Sequence, residues 1–318
     1  VSTSHDHPVT APGRVEEVAE GVFAYIQPDG SWMINNTGFL PARDGVTAID
    51  ACSTQRRTRD FLETIRAVTK LPVRTLVNTH HHPDHTAGNG LFTQATIVAH
   101  DNARPEMRLL GLPRNTGIWT DVNYGDLQLT LPFLTFADRL TLWVDELRCE
   151  LLFAGQPAHT NNDIVAWIPE RSVLFAGDLL FNGGTPLLLS GSVTGAAEVL
   201  ENFVRPLGAR TIVPGHGPVA GPEIIDEVLG YLRFVRETAV RARAAGLTPL
   251  EAGRECDLGR YAEWSDPERI VGNLHRAYAD LAAAEPEQAG DAGGAVDMLG
   301  ALADMVTYNG GRPLTCLA

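Results

Sequence analysis

Four of the ten histidines in this chain fall within six positions, in the stretch NTHHHPDHTAGN from Asn78 to Asn89. An aspartate stands among them, so the run reads H-x-H-x-D-H over His80, His82, Asp84 and His85. Imidazole nitrogens and carboxylate oxygens are ligands for Zn²⁺ and other first-row ions. His, Asp and Pro are also ordinary turn residues, so a polar surface loop is the plain alternative. In extended backbone, His80 and His82 point the same way and can share one ion, whereas His81 alternates to the opposite face and is not expected to bind it. Asp84 and His85, in the turn that follows, can reach a second ion.

A six-residue motif cannot fill two coordination spheres, so further ligands are required downstream. PAHTNND offers His159, LFAGDLLF offers Asp178 and IVPGHGPV offers His216, each in or beside an expected strand or turn. Singly, each has a dull reading as a surface His, a helix-capping Asp or a His in a Gly-Pro turn. Together they complete two sites. His80, His82 and His159 surround the first, Asp84, His85 and His216 the second, and Asp178 bridges them. Two Zn²⁺ are the expected occupants, with Fe or Mn as alternatives.

Two metals about 3.5–4 Å apart can share a hydroxide and polarise the oxygen of a scissile bond. Metal-bound water deprotonates near neutral pH, so no serine or cysteine nucleophile is needed. The expected reaction is hydrolysis: a bridging hydroxide attacks a carbonyl carbon, the first metal stabilises the oxyanion and the second takes the leaving-group side. Asp84 is the catalytic candidate, orienting that hydroxide.

The elements that must position these groups can be read from the punctuation of the chain. GVFAYIQ, SWMINNTGFLPA and GVTAIDA read as strands broken by Pro28-Asp29-Gly30 and Arg43-Asp44-Gly45. STQRRTRDFLETIRAVTK has helical spacing with Ser53 or Thr54 as N-cap. VRTLVNTH is a strand that ends at the histidine cluster. LTLWV, CELLFAG, IVAWIP, SVLFAGDLLF and RTIVPGHG are further strands, with a helix over GAAEVLENFVRPL before the last. The alternation predicts an α/β sandwich with helices outside the sheets. After Pro222, EIIDEVLGYLRFVRETAVRARAAG and DPERIVGNLHRAYADLAAAE predict amphipathic helices, the second opened by Ser265 or Asp266. AVDMLGALADMV predicts a third, shorter helix. Three segments result: a flexible tail over 1–14 holding His5 and His7, a sandwich domain over 15–222 and a helical extension over 223–318. PEQAGDAGGAVD reads as a flexible connector, and the closing MVTYNGGRPLTCLA is expected to fold back over the sandwich.

Composition narrows the partners. A net charge of −14 argues against nucleic acid, which needs a basic surface. No run reaches the roughly 18 apolar residues of a membrane span, and no secretory signal is visible. Cys52, Cys149, Cys256 and Cys316 are widely separated, which fits isolated thiols in a reducing cytoplasm better than a disulfide scaffold.

The order H-x-H-x-D-H, isolated His, Gly-Asp, Gly-His-Gly resembles the metallo-β-lactamase superfamily over Val15 to Pro222. The resemblance implies an αββα sandwich with a dinuclear site at one edge. It also places Asp50, in TAIDAC, as the acidic residue that closes an early strand and braces the metal-binding loops without binding metal. Members that open β-lactams generally carry Cys or Ser on the second-metal side and lack the bridging Asp. Those with it include glyoxalase II, acyl-lactone hydrolases, thioesterases and phosphodiesterases. No Arg/Lys cluster adjoins the motifs to hold phosphate, which disfavours the last group. HHHPDHTAGNGLF and the C-terminal helices are similar to cyclase/thioesterases of bacterial aromatic polyketide pathways, which implies an ester, thioester or lactone substrate. The alternatives are a di-iron oxidoreductase of the same fold, a β-lactam-hydrolysing enzyme and a scaffold with a dead site. The first would need a flavin domain or a persulfide partner, and the last would have lost ligands.

Pocket candidates are Trp32 and Met33, as a flap in PDGSWMINN, Trp119 and Tyr124 in NTGIWTDVNYG, and Phe181 and Asn182 just beyond the bridging Asp. They suggest a roomy, partly apolar site for a small-molecule acyl substrate, free or bound to a carrier protein. An acidic carrier would need a basic patch, for which Arg233, Arg236 and Arg243 on the long helix are the candidates. The oligomeric state is left open.

Overall fold

The computed structural model describes residues 13–285 and 295–318. His5 and His7 of the expected tail, and the PEQAGDAGG part of the expected connector, lie outside the described residues. Seven strands form one sheet in sequence order: β1 (Arg14–Ala19), β2 (Val22–Ile26), β3 (Thr37–Ala42), β4 (Gly45–Ile49), β5 (Val73–Val77), β6 (Thr96–His100) and β7 (Leu134–Phe136). β1 to β4 are antiparallel, and the pairs from β4 to β7 are parallel. The second sheet has five strands: β8 (Arg139–Val144), β9 (Leu147–Phe153), β10 (Ile164–Ile168), β11 (Val173–Phe181) and β12 (Thr211–His216). Its last pair is parallel.

The α-helices are α1 (Gln55–Val68), α2 (Pro83–Thr86), α3 (Ala103–Leu110), α4 (Val193–Val199), α5 (Glu223–Ala244), α6 (Pro249–Glu255), α7 (Arg269–Ala283) and α8 (Met298–Tyr308). α1 begins where Thr54 caps it, its hydroxyl accepting from the N–H of Arg57. α4 makes the crossover between β11 and β12, a connection that parallel strands require.

Three buried clusters set the layer order. Leu40, Ile49, Val77 and Val98 meet Leu151, Ile164, Phe175 and Val213 between the sheets. Phe61 and Ile65 of α1 cover the outer face of the first sheet against Phe39 and Leu76. Leu174, Ala176 and Ile212 on the outer face of the second sheet pack against Ile225, Leu232, Ile270, Leu274 and Met305 of α5, α7 and α8. The result is an αββα sandwich with C-terminal helices. β11 is buried at every position, which is why its sequence VLFAGDLLF is apolar almost throughout.

Some boundaries differ from expectation where side chains bind backbone. Trp32 to Asn36 is irregular rather than strand, because Asn35 Nδ2 donates to Ala51 O and Asn36 Nδ2 to Pro214 O and Gly217 O. α7 starts at Arg269, after Asp266 turns the chain at φ 55°. β5 ends at Val77, so His80 and His81 lie in a bend, and Pro83 opens α2.

Candidate metal centre

The sandwich brings chemistry to one edge by ending several strands there. Asp50 follows β4, His80 to His85 follow β5, His159 lies between β9 and β10, Asp178 is in β11, and His216 ends β12. The β11–β12 register pairs Phe181 with His216, and their rings stack at 4.9 Å and 3°. Gly215 must be glycine for this packing, since a Cβ there would run into Asp178 Oδ1.

His80, His82, His159 and Asp178 form one group of ligand atoms, and Asp84, His85, Asp178 and His216 form another, each within 4.8 Å. Asp178 belongs to both. Its Oδ1 stands 3.1 Å from His85 Nε2, and its Oδ2 stands 3.3 Å from His159 Nε2 and 3.4 Å from His216 Nε2. Asp84 Oδ2 lies 3.3 Å from His216 Nε2.

The opposite ring nitrogens are held from outside. His80 Nδ1 meets Thr79 Oγ1, His85 Nδ1 meets Asp50, His159 Nδ1 donates to Leu187 O and His216 Nδ1 donates to Gly30 O. His82 instead turns Nδ1 inward, 2.8 Å from His159 Nε2. Such outer contacts fix ring orientation and leave the inner nitrogen bare for an ion.

His80 Nε2 is buried without a hydrogen-bond partner, and His85 Nε2 and Asp178 Oδ1, though 3.1 Å apart as an ion pair, have none of good geometry. Orphans of this kind cost roughly 1–3 kcal/mol each in an ordinary core. Here they converge, and two divalent ions would satisfy all of them. The residues fit a dinuclear site; the donor set of imidazole and carboxylate suits zinc and neighbouring first-row metals alike.

The charges tell the same story. Burial alone would raise the carboxyls of Asp84 and Asp178, yet both are held below the usual carboxylate range by His85 and His216. Burial opposes a charge on His216, but Asp178 and Asp84 override it and raise its pKa to about 9. His85 is likewise raised against burial, by Asp178, Asp50 and Asp84. His80 and His82 are lowered, first by burial and then by neighbouring imidazoles. The cluster therefore demands positive charge on the side of the carboxylates, which protons supply when no ion does.

A cavity of about 690 Å³ opens on both groups. Trp32, Met33, Trp119, Tyr124 and Phe181 line it. Asn182 does not: its Nδ2 donates to Pro218 O in the bend after β12. Trp32 is a fixed wall rather than a flap. Its ring lies 3.9 Å under the Arg269 guanidinium and edge-on to Trp119, and its Nε1 donates to Glu268. His81 stays outside both ligand groups, but it borders the same cavity instead of turning away, because the backbone bends where a strand was expected. Burial lowers its pKa to about 4. Leu109 and Leu110 of α3 and Met298 and Leu299 of α8 form an exposed apolar mouth that the sequence signalled only as RLLGLP and DMLG.

The family model of the metallo-β-lactamase superfamily matches residues 30–216. A linear primary-alkylsulfatase of a Pseudomonas species is 25% identical over 67% of this chain and 48% of its own length. The type 2 metallo-β-lactamase of Bacteroides fragilis is 23% identical over 67% of this chain and 82% of its own. A hydroxyacylglutathione hydrolase of Rhodospirillum rubrum is 30% identical over 56% of this chain and 59% of its own. The chain thus spans only about half the length of the alkylsulfatase. Among solved structures, a metallo-β-lactamase from Pontibacter korlensis superimposes with a TM-score of 0.58 at 19% identity, over 70% of this chain and 99% of that one. At that identity the likeness shows the fold alone.

Proposed function

The chain belongs to the metallo-β-lactamase superfamily, and from that premise we propose that it is a dinuclear zinc-dependent hydrolase of ester, thioester or lactone substrates with a bulky apolar acyl part. The observation that carries this reading is Asp178 standing between two ligand groups at the base of a large apolar cavity. His80, His82 and His159 would hold one ion, Asp84, His85 and His216 the other, and Asp178 both. Bound there, the ions would supply Lewis acidity and an acidified water. Asp84 borders the cavity, so its carboxylate would orient that water. Trp32, Trp119 and Phe181 keep bulk water from the acyl group. The 30% identity to a protein named as a hydrolase of hydroxyacylglutathione supports the thioester side of the reading.

A thioesterase/cyclase of aromatic polyketide chains is its narrowest form. A carrier protein would then have to dock largely through Arg236, since Arg233 is paired with Glu201 and Arg243 with Glu285. No described helix is long and apolar enough to cross a membrane. We place the protein in the cytoplasm because its four cysteines are widely spaced. The test is turnover by the zinc-loaded full chain of phenylacetyl-N-acetylcysteamine thioester, a simple lactone and a cephalosporin. Faster turnover of the thioester or lactone is expected; a preference for the cephalosporin, or no turnover of any, overturns the reading.

A further inference from the structure

Beside the ligand groups, one side of the cavity carries a chain of polar groups with a fixed direction. Glu106 of α3 offers a carboxylate, which can only accept. Its Oε1 lies 3.0 Å from Asn161 Nδ2, so Asn161 turns its Oδ1 the other way. That oxygen lies 2.7 Å from Asn162 Nδ2, which donates to it. The same Nδ2 has a second hydrogen, and 2.8 Å away stands Nδ1 of His81. Nδ1 must therefore be the bare, accepting nitrogen. Flipping Asn161 would set its oxygen against the Glu106 carboxylate, and flipping Asn162 would set oxygen against oxygen, so the amide assignments are tied to the acid at the end. A neutral imidazole that accepts at Nδ1 carries its proton at Nε2.

That Nε2 makes no hydrogen bond among the described residues, and it is not one of their buried orphan atoms, so it opens on the cavity that His81 lines. The neighbouring ring is His82, with centroids 4.6 Å apart, which puts the donor beside the first ligand group. Asn102 Nδ2 also donates to the backbone oxygen of Asn161 and steadies the relay. We propose that His81 is a substrate-positioning residue, donating from Nε2 to an oxygen of the acyl substrate, with its tautomer set by Glu106 through Asn161 and Asn162. A neutral donor selects a carbonyl, ester or carboxylate oxygen over an ammonium group. In a cavity with apolar walls, one such donor orients the acyl group toward the ligand cluster.

The assignment of a substrate oxygen rests on the hydrolase reading above, whereas the tautomer does not. Side-chain nitrogen NMR of the zinc-loaded full chain should show His81 bare at Nδ1 and protonated at Nε2. In Asn162→Asp the new carboxylate accepts instead, and the proton moves to Nδ1. Phenylacetate, the acid product of the thioester probe, should shift the Nε2 resonance of the wild type and not that of Asn162→Asp. With both metals retained, His81→Ala and Asn162→Asp should raise KM for phenylacetyl-N-acetylcysteamine thioester about tenfold, the worth of one well-placed hydrogen bond. His81→Gln, which can place an amide nitrogen near the Nε2 position, should restore most of the loss. A wild-type His81 protonated at Nδ1, an Nε2 resonance that phenylacetate leaves in place, or KM changes below about twofold overturn the proposal. Absence of turnover of the thioester, the lactone and the cephalosporin alike with both metals bound sinks the hydrolase reading instead, and the NMR results still decide the role of His81.

Discussion

Asp50 holds His85: its Oδ2 stands 2.8 Å from the imidazole Nδ1, and both side chains are buried. The same carboxylate accepts from the N–H and the hydroxyl of Thr79, each at 2.7 Å. Asp50 does this from a left-handed backbone position, φ 61°, which aspartate tolerates better than branched residues do. One side chain thus aims a ring of the second ligand group and fixes the turn that leads into His80.

Replacing Asp50 by Asn keeps the size and removes acceptor capacity where three donors converge. Retention of the second-site ion should weaken about 10–100-fold, the usual cost of losing an outer partner of a ligating histidine. Competition with a chelator measures this. Unchanged retention would show that Thr79 alone suffices to hold the turn.

Stoichiometry tests the shared carboxylate. The full chain purified without chelator should carry two ions, mostly zinc, by elemental analysis. Asp178→Ala should lose the second-site ion more readily, because both groups lean on that residue. His82→Ala should empty the first group. A wild type without any bound transition metal contradicts the site.

The metal-free chain should respond to alkali. His216 has a folded pKa of about 9 against an ordinary 6.5, so its contribution to stability is present in full below about pH 6.5 and is lost as pH rises through about 9. An ion on Nε2 displaces that proton. Zinc uptake near pH 8 should therefore release protons, which calorimetry in buffers of different ionisation enthalpy reads. The zinc-loaded Tm should be flatter than the metal-free Tm across this window; a metal-free Tm that climbs through it would reverse the sign.

The two clusters of candidate ligands were legible because their residue types and order are unusual, and α1 and α5 because their apolar spacing is long and regular. The relay on His81 was not. Glu106, Asn161 and His81 are ordinary polar residues until the fold sets α3 and two loops side by side, and strict alternation misplaced His81 because the backbone bends after β5. α6 left a readable trace in TPLE, where Thr248 and Glu251 form a capping box, but seven residues make a weak periodic signal. α3, with eight residues, gives an equally weak signal.

The closing segment supports two walls of the cavity, and that separates stability from metal binding. Leu314 is fully buried, its N–H donates to Ile118 O, and its carbonyl accepts from Thr120, on either side of Trp119. Cys316 donates its N–H to Thr120 Oγ1 and lays Sγ against the carbonyl of Trp32. The segment expected to fold back therefore pins both tryptophans. Leu314→Ala should cost about 2–5 kcal/mol in chemical denaturation, as a buried large-to-small change does. None of the seven ligand residues lies on this segment, so metal content should stay at the wild-type level. KM for the apolar thioester should rise because Trp119 and Trp32 lose their backing. Leu299→Ser, at an exposed position of the mouth, should raise KM for long acyl groups with little effect on stability. If Leu314→Ala strips the ions as well, the walls and the metal loops are one unit, and the cavity cannot be tuned apart from the chemistry.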